Sequence, residues 1–150
     1  MTHSIEKPMR QQKAETKVQQ AKHTARNRPQ DVDLAVRAAG YNEWLVFERQ
    51  FRRLQGDFCR VLSRQYSPRT VRRHRYILQV FCDYLCDETA VTHLEQITKG
   101  MVNSGFRRWY RHKIWDRTSD SELRTTLQKF FRFLAQKKGI ENARALAALR

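Results

Sequence analysis

The stretch Ser67–Leu85, "SPRTVRRHRYILQVFCDYL", decides how the rest of the chain is read. Ser67 is a residue type that caps helix N-termini, and Pro68 sits where its missing N–H costs nothing. Val71, Ile77, Leu78, Phe81, Tyr84 and Leu85 then recur at helical spacing, with His74 on the edge of the stripe. Arg72, Arg75, Tyr76, Gln79 and Asp83 fall on the other side. The pattern predicts an amphipathic helix with one buried face, and His74 reads as a packed residue rather than a catalyst. Its first two turns hold Arg69, Arg72, Arg73 and Arg75. The helix macrodipole disfavours cations there, by roughly 0.3–1 kcal/mol for each charge near the terminus. A polyanionic ligand would offset that cost. The competing reading is an ordinary solvated helix face.

The same periodicity extends in both directions. Upstream, a short helix over Asp31–Ala39 is expected to close at Gly40. A longer one from Asn42 to Ser63 carries Trp44, Leu45, Phe47, Phe51, Leu54, Phe58, Val61 and Leu62 inward, with Gly56 marking a bend. Downstream, residues 87–97 read as a loop that plugs Leu94 and Ile97 back into the core. Thr98 caps a helix with Met101, Val102, Phe106, Trp109, Tyr110 and Ile114 on one side and Arg107, Arg108, Arg111 and Lys113 on the other. After the break "WDRTSDSE", Ser119 or Asp120 opens a last long helix. Leu123, Leu127, Phe130, Phe131 and Leu134 form its inner face; Lys137 and Lys138 suit its C-terminal dipole, and Gly139 ends it. "ENARALAALR" reads as a short closing helix whose Leu146 and Leu149 dock on this domain or on a partner. No segment alternates like a strand. The expected fold is all-α: a compact bundle of four main helices over residues 30–142, a flexible basic arm over 1–29, and a short C-terminal helix over 143–150. The spacing of Trp44, Phe47, Phe81, Trp109, Phe130 and Phe131 assigns them to the core rather than to a base-stacking platform.

Charge narrows the function. The 150 residues carry a formal net charge of +15 from 30 basic and 15 acidic side chains. Residues 67–138 alone contribute +8, so the excess is not confined to the arm. Such a field attracts nucleic acid or an anionic surface. Arg greatly outnumbers Lys, which suits bidentate grip on phosphates and guanine edges. No apolar run is long enough to span a bilayer, and the first residues lack the apolar core of a secretory signal. A cytoplasmic protein is expected, nucleoid-associated in a bacterial host, with no membrane and no small-molecule substrate as partner. The three cysteines read as free thiols. Cys82, Cys86 and His93 lack a fourth ligand at standard zinc spacing, so neither a metal nor a cofactor is expected.

Three ordered signatures resemble the N-terminal core-binding domain of tyrosine recombinases (phage integrases), a SAM-like helical domain, over roughly residues 42 to 142. They are Ser67 and Thr70 opening a helix that ends in Phe81 and Leu85; Ile97 and Thr98 before a second helix; and the Leu/Phe run from Leu123 to Leu134 followed by Gly139 and Ile140. The resemblance implies double-stranded DNA binding, with the N-terminal halves of the first and last signature helices facing a major groove. The positions so implicated are Arg69, Arg72, Arg73 and Arg75 on the first, and Arg124, Thr125 and Gln128 on the last. Arg107, Arg108, Arg111 and Lys113 form a second set of candidate phosphate contacts. Asp120 and Glu122 stand at the start of the last helix, where they repel phosphate.

The family pattern continues as Asn-Pro into a catalytic domain. Here Asn142 is followed by Ala143, and eight residues remain. "HTAR", at His23 to Arg26, mimics a fragment of recombinase chemistry but lacks its companions. No catalytic residue is therefore assigned, and no enzyme activity is expected. The reading is a non-catalytic duplex-DNA-binding protein, an accessory or regulator of a site-specific recombinase or the N-terminal remnant of one. Its expected partners are double-stranded DNA, a full-length recombinase, or a second copy joined through the C-terminal helix. The alternative is a helical protein-interaction module within a nucleoprotein complex.

Overall fold

A computed structural model describes residues 29–150, with side chains from 37 on. The basic arm up to residue 28 and the "HTAR" fragment lie outside the described residues. Among those described there are five α-helices and no strand: α1 (Pro29–Leu62), α2 (Pro68–Glu88), α3 (Phe106–Lys113), α4 (Asp120–Lys138) and α5 (Ala143–Ala148). A 3₁₀ turn, Leu94–Gln96, and a π-helical turn, Met101–Gly105, lie between α2 and α3.

Two expectations about α1 are corrected. Gly40 does not close a helix, and no separate helix ends at Ala39, since one helix runs from Pro29 to Leu62 through both Gly40 and Gly56. A glycine inside a helix costs only about 1 kcal/mol relative to alanine, and the flanking helix formers outweigh it. The chain divides between Tyr41 and Asn42 into two units. The second, Asn42–Arg150, holds every residue of the candidate site.

The core of this unit is aromatic. Phe51 packs on Phe130 with ring centroids 5.3 Å apart, Phe58 on Phe130 at 5.5 Å, and Phe81 on Phe106 at 4.9 Å. These pairs tie α1 to α4 and α2 to α3, and Phe51 against Phe81 at 6.2 Å joins the two sets, through tilted and edge-on contacts of the kind aromatic rings prefer. Phe47, Phe81, Phe130 and Phe131 are buried, and Trp44 and Trp109 are half-buried. Leu94 and Ile97 plug into the core from the loop, as does Val91.

The helix ends follow the sequence closely. Ser67 Oγ accepts the Thr70 N–H at the start of α2. Ser119 and Glu122 form a reciprocal capping box at the start of α4, and Gly139 ends that helix in the left-handed region at φ 64°. Thr98 Oγ1 accepts the Met101 N–H. The helix it opens begins as a π turn, which the periodicity of the sequence does not reveal. Gly105 lies at the end of that turn, where an added Cβ would collide with the Tyr84 hydroxyl. The terminal helix docks on its own domain. Leu149 is buried, Leu146 packs against the core, and Asn142 Nδ2 donates to the carbonyls of Leu94 and Ile97 at 2.9 Å each.

Candidate nucleic-acid interface

The N-terminal halves of α2 and α4 flank a groove of about 780 Å³. Arg69, Thr70, Arg72, Arg73 and Tyr76 line it from α2, and Ser121, Glu122 and Thr125 from α4. Its floor is a buried polar pair: His74 Nδ1 lies 2.7 Å from Thr126 Oγ1. Burial holds the His74 pKa below the ordinary histidine value, and the positive charge of Lys129 adds to the effect. A neutral imidazole therefore joins the two helices beneath the groove. The apolar stripe read from the sequence places it there, because His74 shares the inner face with Val71, Ile77 and Leu78.

Arg69, Arg72 and Arg75 are exposed and have no ion-pair or hydrogen-bond partner for their side chains among the described residues. Arg69 and Arg72 border the groove. Arg72 also borders a second hollow, which it shares with Arg75, Tyr76, Gln79 and, from α1, Arg52 and Gln55. Gln55 Nε2 donates to the Arg75 carbonyl at 2.8 Å, which fixes α1 behind this part of α2. Thr125 reaches the groove from α4. Arg124 beside it is exposed and likewise unpaired, while Gln128 is half-buried and lies outside the groove lining.

Arg73 stands apart from its three neighbours. Its Nη2 donates to Thr118 Oγ1 at 2.5 Å, and its Nε approaches Glu122 Oε1 at 3.4 Å. Thr118 is fully buried, and Tyr110 Oη lies 2.9 Å from its hydroxyl and 2.7 Å from Asp116 Oδ2. Burial alone would push the Asp116 carboxyl up. Hydrogen bonds from Thr118 and Tyr110, with the Arg73 charge, hold it below the usual carboxylate range instead. Burial pushes the Tyr110 hydroxyl up, and the charge of Asp116 pushes it further. Arg73 thus clamps the loop before α4 to α2.

The second candidate set is also partly engaged. Arg111 Nη2 lies 2.7 Å from Asp120 Oδ1, and Arg107 Nη1 lies 3.6 Å from Asp120 Oδ2. Arg107 additionally bonds Asn103, and Arg108 bonds the Ser104 carbonyl at 3.4 Å. Lys113 is exposed and, among the described residues, unpaired. The acidic residues at the start of α4 are accordingly occupied: Asp120 by these arginines, Glu122 by the cap and Arg73. The Ser119 N–H, more than any other group, keeps the Glu122 pKa low.

Sequence reasoning left Tyr76, Thr70 and Ser121 unassigned. Tyr76 is 41% exposed and borders both hollows. Its spacing of four from Arg72, on the outward side of the helix, was the available signal. Among the described residues no group of three or more His, Cys, Asp or Glu side chains is placed to hold a metal ion, and no helix is long and apolar enough to cross a membrane.

Residues 57–138 match the family described as phage integrase, N-terminal SAM-like domain. That is more than half of the chain. The chain belongs to this family. No curated protein and no solved structure matched it. Membership links the domain to site-specific recombination. The match spans α2, α3 and α4 whole and only the end of α1, so both walls of the groove lie inside it.

Proposed function

We propose that the domain binds double-stranded DNA through the ridge formed by Arg69, Arg72 and Arg75 and through the facing surface of α4 at Arg124, Thr125 and Gln128. One observation carries the reading: three guanidinium groups stand unpaired among the described residues in the N-terminal half of α2, two of them, Arg69 and Arg72, beside a groove that opens onto the N-terminal half of α4. Nothing among the described residues offsets their unfavourable placement, and DNA phosphates would. Neutralisation of Asp120 and Glu122 by internal partners supports the reading, since it lowers the repulsion an approaching backbone meets. Arginines on the ridge hold phosphates or grip guanine edges, and Gln128 is suited to adenine. Arg108 and Lys113 extend the cationic surface; Arg107 and Arg111 contribute less because Asp120 holds them.

The role is non-catalytic: an accessory or regulator acting beside a site-specific recombinase, or the DNA-gripping portion of one. Cytoplasmic location follows from that role. With phosphate contacts alone, a single domain binds in the ~10⁻⁴ to 10⁻⁶ M range at physiological salt, so useful occupancy needs a tethered partner, dimerisation or base readout. Selection from a random pool of duplexes tests the reading. Recovery of a consensus site, or of salt-sensitive general binding, is the expected result; no retention of any duplex at low salt would overturn it.

A further inference from the structure

Trp115 is the most exposed large apolar side chain described, at 93%. The other two tryptophans are half-buried, and Trp109 Nε1 is bonded to Glu88. Trp115 follows the end of α3, where Ile114 adopts extended backbone and turns its own side chain toward the core. Successive side chains on extended backbone point to opposite sides, so the indole is sent outward. It is held in place: its Nε1 donates to the His112 carbonyl at 3.3 Å.

The surroundings of the ring are cationic. Lys113 and Arg117, two residues away in sequence on either side, are exposed and have no partner among the described residues. The carboxylate next in sequence, Asp116, is taken up by Tyr110 and the Thr118 N–H. An indole flanked in sequence by cations that are unpaired among the described residues is poorly suited to an apolar protein surface, which would have to bury those charges. It fits a nucleobase, whose π face stacks on the ring while adjacent phosphates meet the cations.

Position points the same way. Thr118, three residues on, is bonded to Arg73 at the groove. Three residues of chain span at most about 11 Å, so the Trp115 backbone lies within about that distance of Thr118, which Arg73 ties to α2. We infer that Trp115 is a stacking residue that caps an unpaired or terminal base of the bound DNA. This rests on the proposed duplex binding and adds to it a preference for DNA with an exposed base face.

The test compares two DNAs by fluorescence anisotropy. One is a duplex closed by hairpins at both ends, so that no base face is free; the other is the same duplex with a single unpaired adenine. Wild type is expected to bind the second roughly tenfold more tightly, the low end of what one stacked base contributes. Trp115→Ala should bind the two equally, at the wild-type affinity for the closed duplex, and Trp115→Phe should keep part of the preference. The exposed position makes unfolding of either variant unexpected, and circular dichroism checks it. Retained preference in Trp115→Ala, or none in wild type, would overturn the stacking role and leave the ring to a protein partner. Failure of wild type to bind either DNA would overturn the duplex reading, and this inference with it.

Discussion

Arg72 and Arg73 are neighbours in sequence with opposite surroundings, and single substitutions should separate them. Among the described residues Arg72 has no partner for its side chain. Arg72→Ala is expected to leave the melting temperature nearly unchanged, within about 0.5 kcal/mol, while weakening duplex binding. Arg73→Ala removes the donor to buried Thr118 and loosens the Tyr110–Asp116 network. It should cost about 1 kcal/mol of stability, the typical worth of one hydrogen bond, and thermal melts of the two variants check the contrast. The pattern of charges along α2 makes all four arginines look alike. What distinguishes Arg73 is a contact 45 residues away in sequence, and no local pattern reports that. His74 offers a second residue-scale test. Its pKa is held down in the fold, so its contribution is complete above the ordinary histidine value near ~6.5 and is lost as pH falls through the lower folded value. Melting temperature should therefore drop between pH 7 and pH 5, and drop less in His74→Gln.

At the scale of elements, caps and apolar stripes made the fold legible. Ser67, Thr98, Ser119 and Gly139 each sit where their chemistry places them. Removing the α4 capping box with Ser119→Ala is expected to cost about 1 kcal/mol, measured by denaturant unfolding. Gly40 misled because no steric or conformational demand singles it out. Gly40 and Gly56 are open positions inside a helix, whereas Gly139 has positive φ and Gly105 lies against Tyr84. The π turn escaped notice because Val102, Phe106 and Tyr110 keep a spacing of four through it, so the inward stripe is unbroken. Gly105→Ala is expected to destabilise by roughly 1–3 kcal/mol, as overpacking does, and calorimetry would register it. Of the site, the ridge was readable because charge at the wrong end of a helix is a local anomaly. The groove beside it was not, since it exists only once α4 packs on α2.

For the whole molecule, the charge excess sets a field, and the fold gathers part of it onto one face. Six of the candidate contacts divide into three arginines on α2, unpaired among the described residues, and three side chains on α4, of which Thr125 lines the groove. The family match covers this region, which places the cationic ridge inside the recombination-linked domain rather than in an appended tail. The account's central claim is that Arg69, Arg72 and Arg75 are free to neutralise phosphates. Counterion release makes the logarithm of affinity fall with the logarithm of salt by about 0.9 for each phosphate neutralised. The most direct measurement is that slope, for wild type and for the Arg69→Ala, Arg72→Ala, Arg75→Ala triple variant on one duplex. Wild type should give roughly −3.5 to −4.5, and the triple variant should be shallower by about 2 to 3 while remaining folded. Equal slopes in the two proteins would contradict the claim.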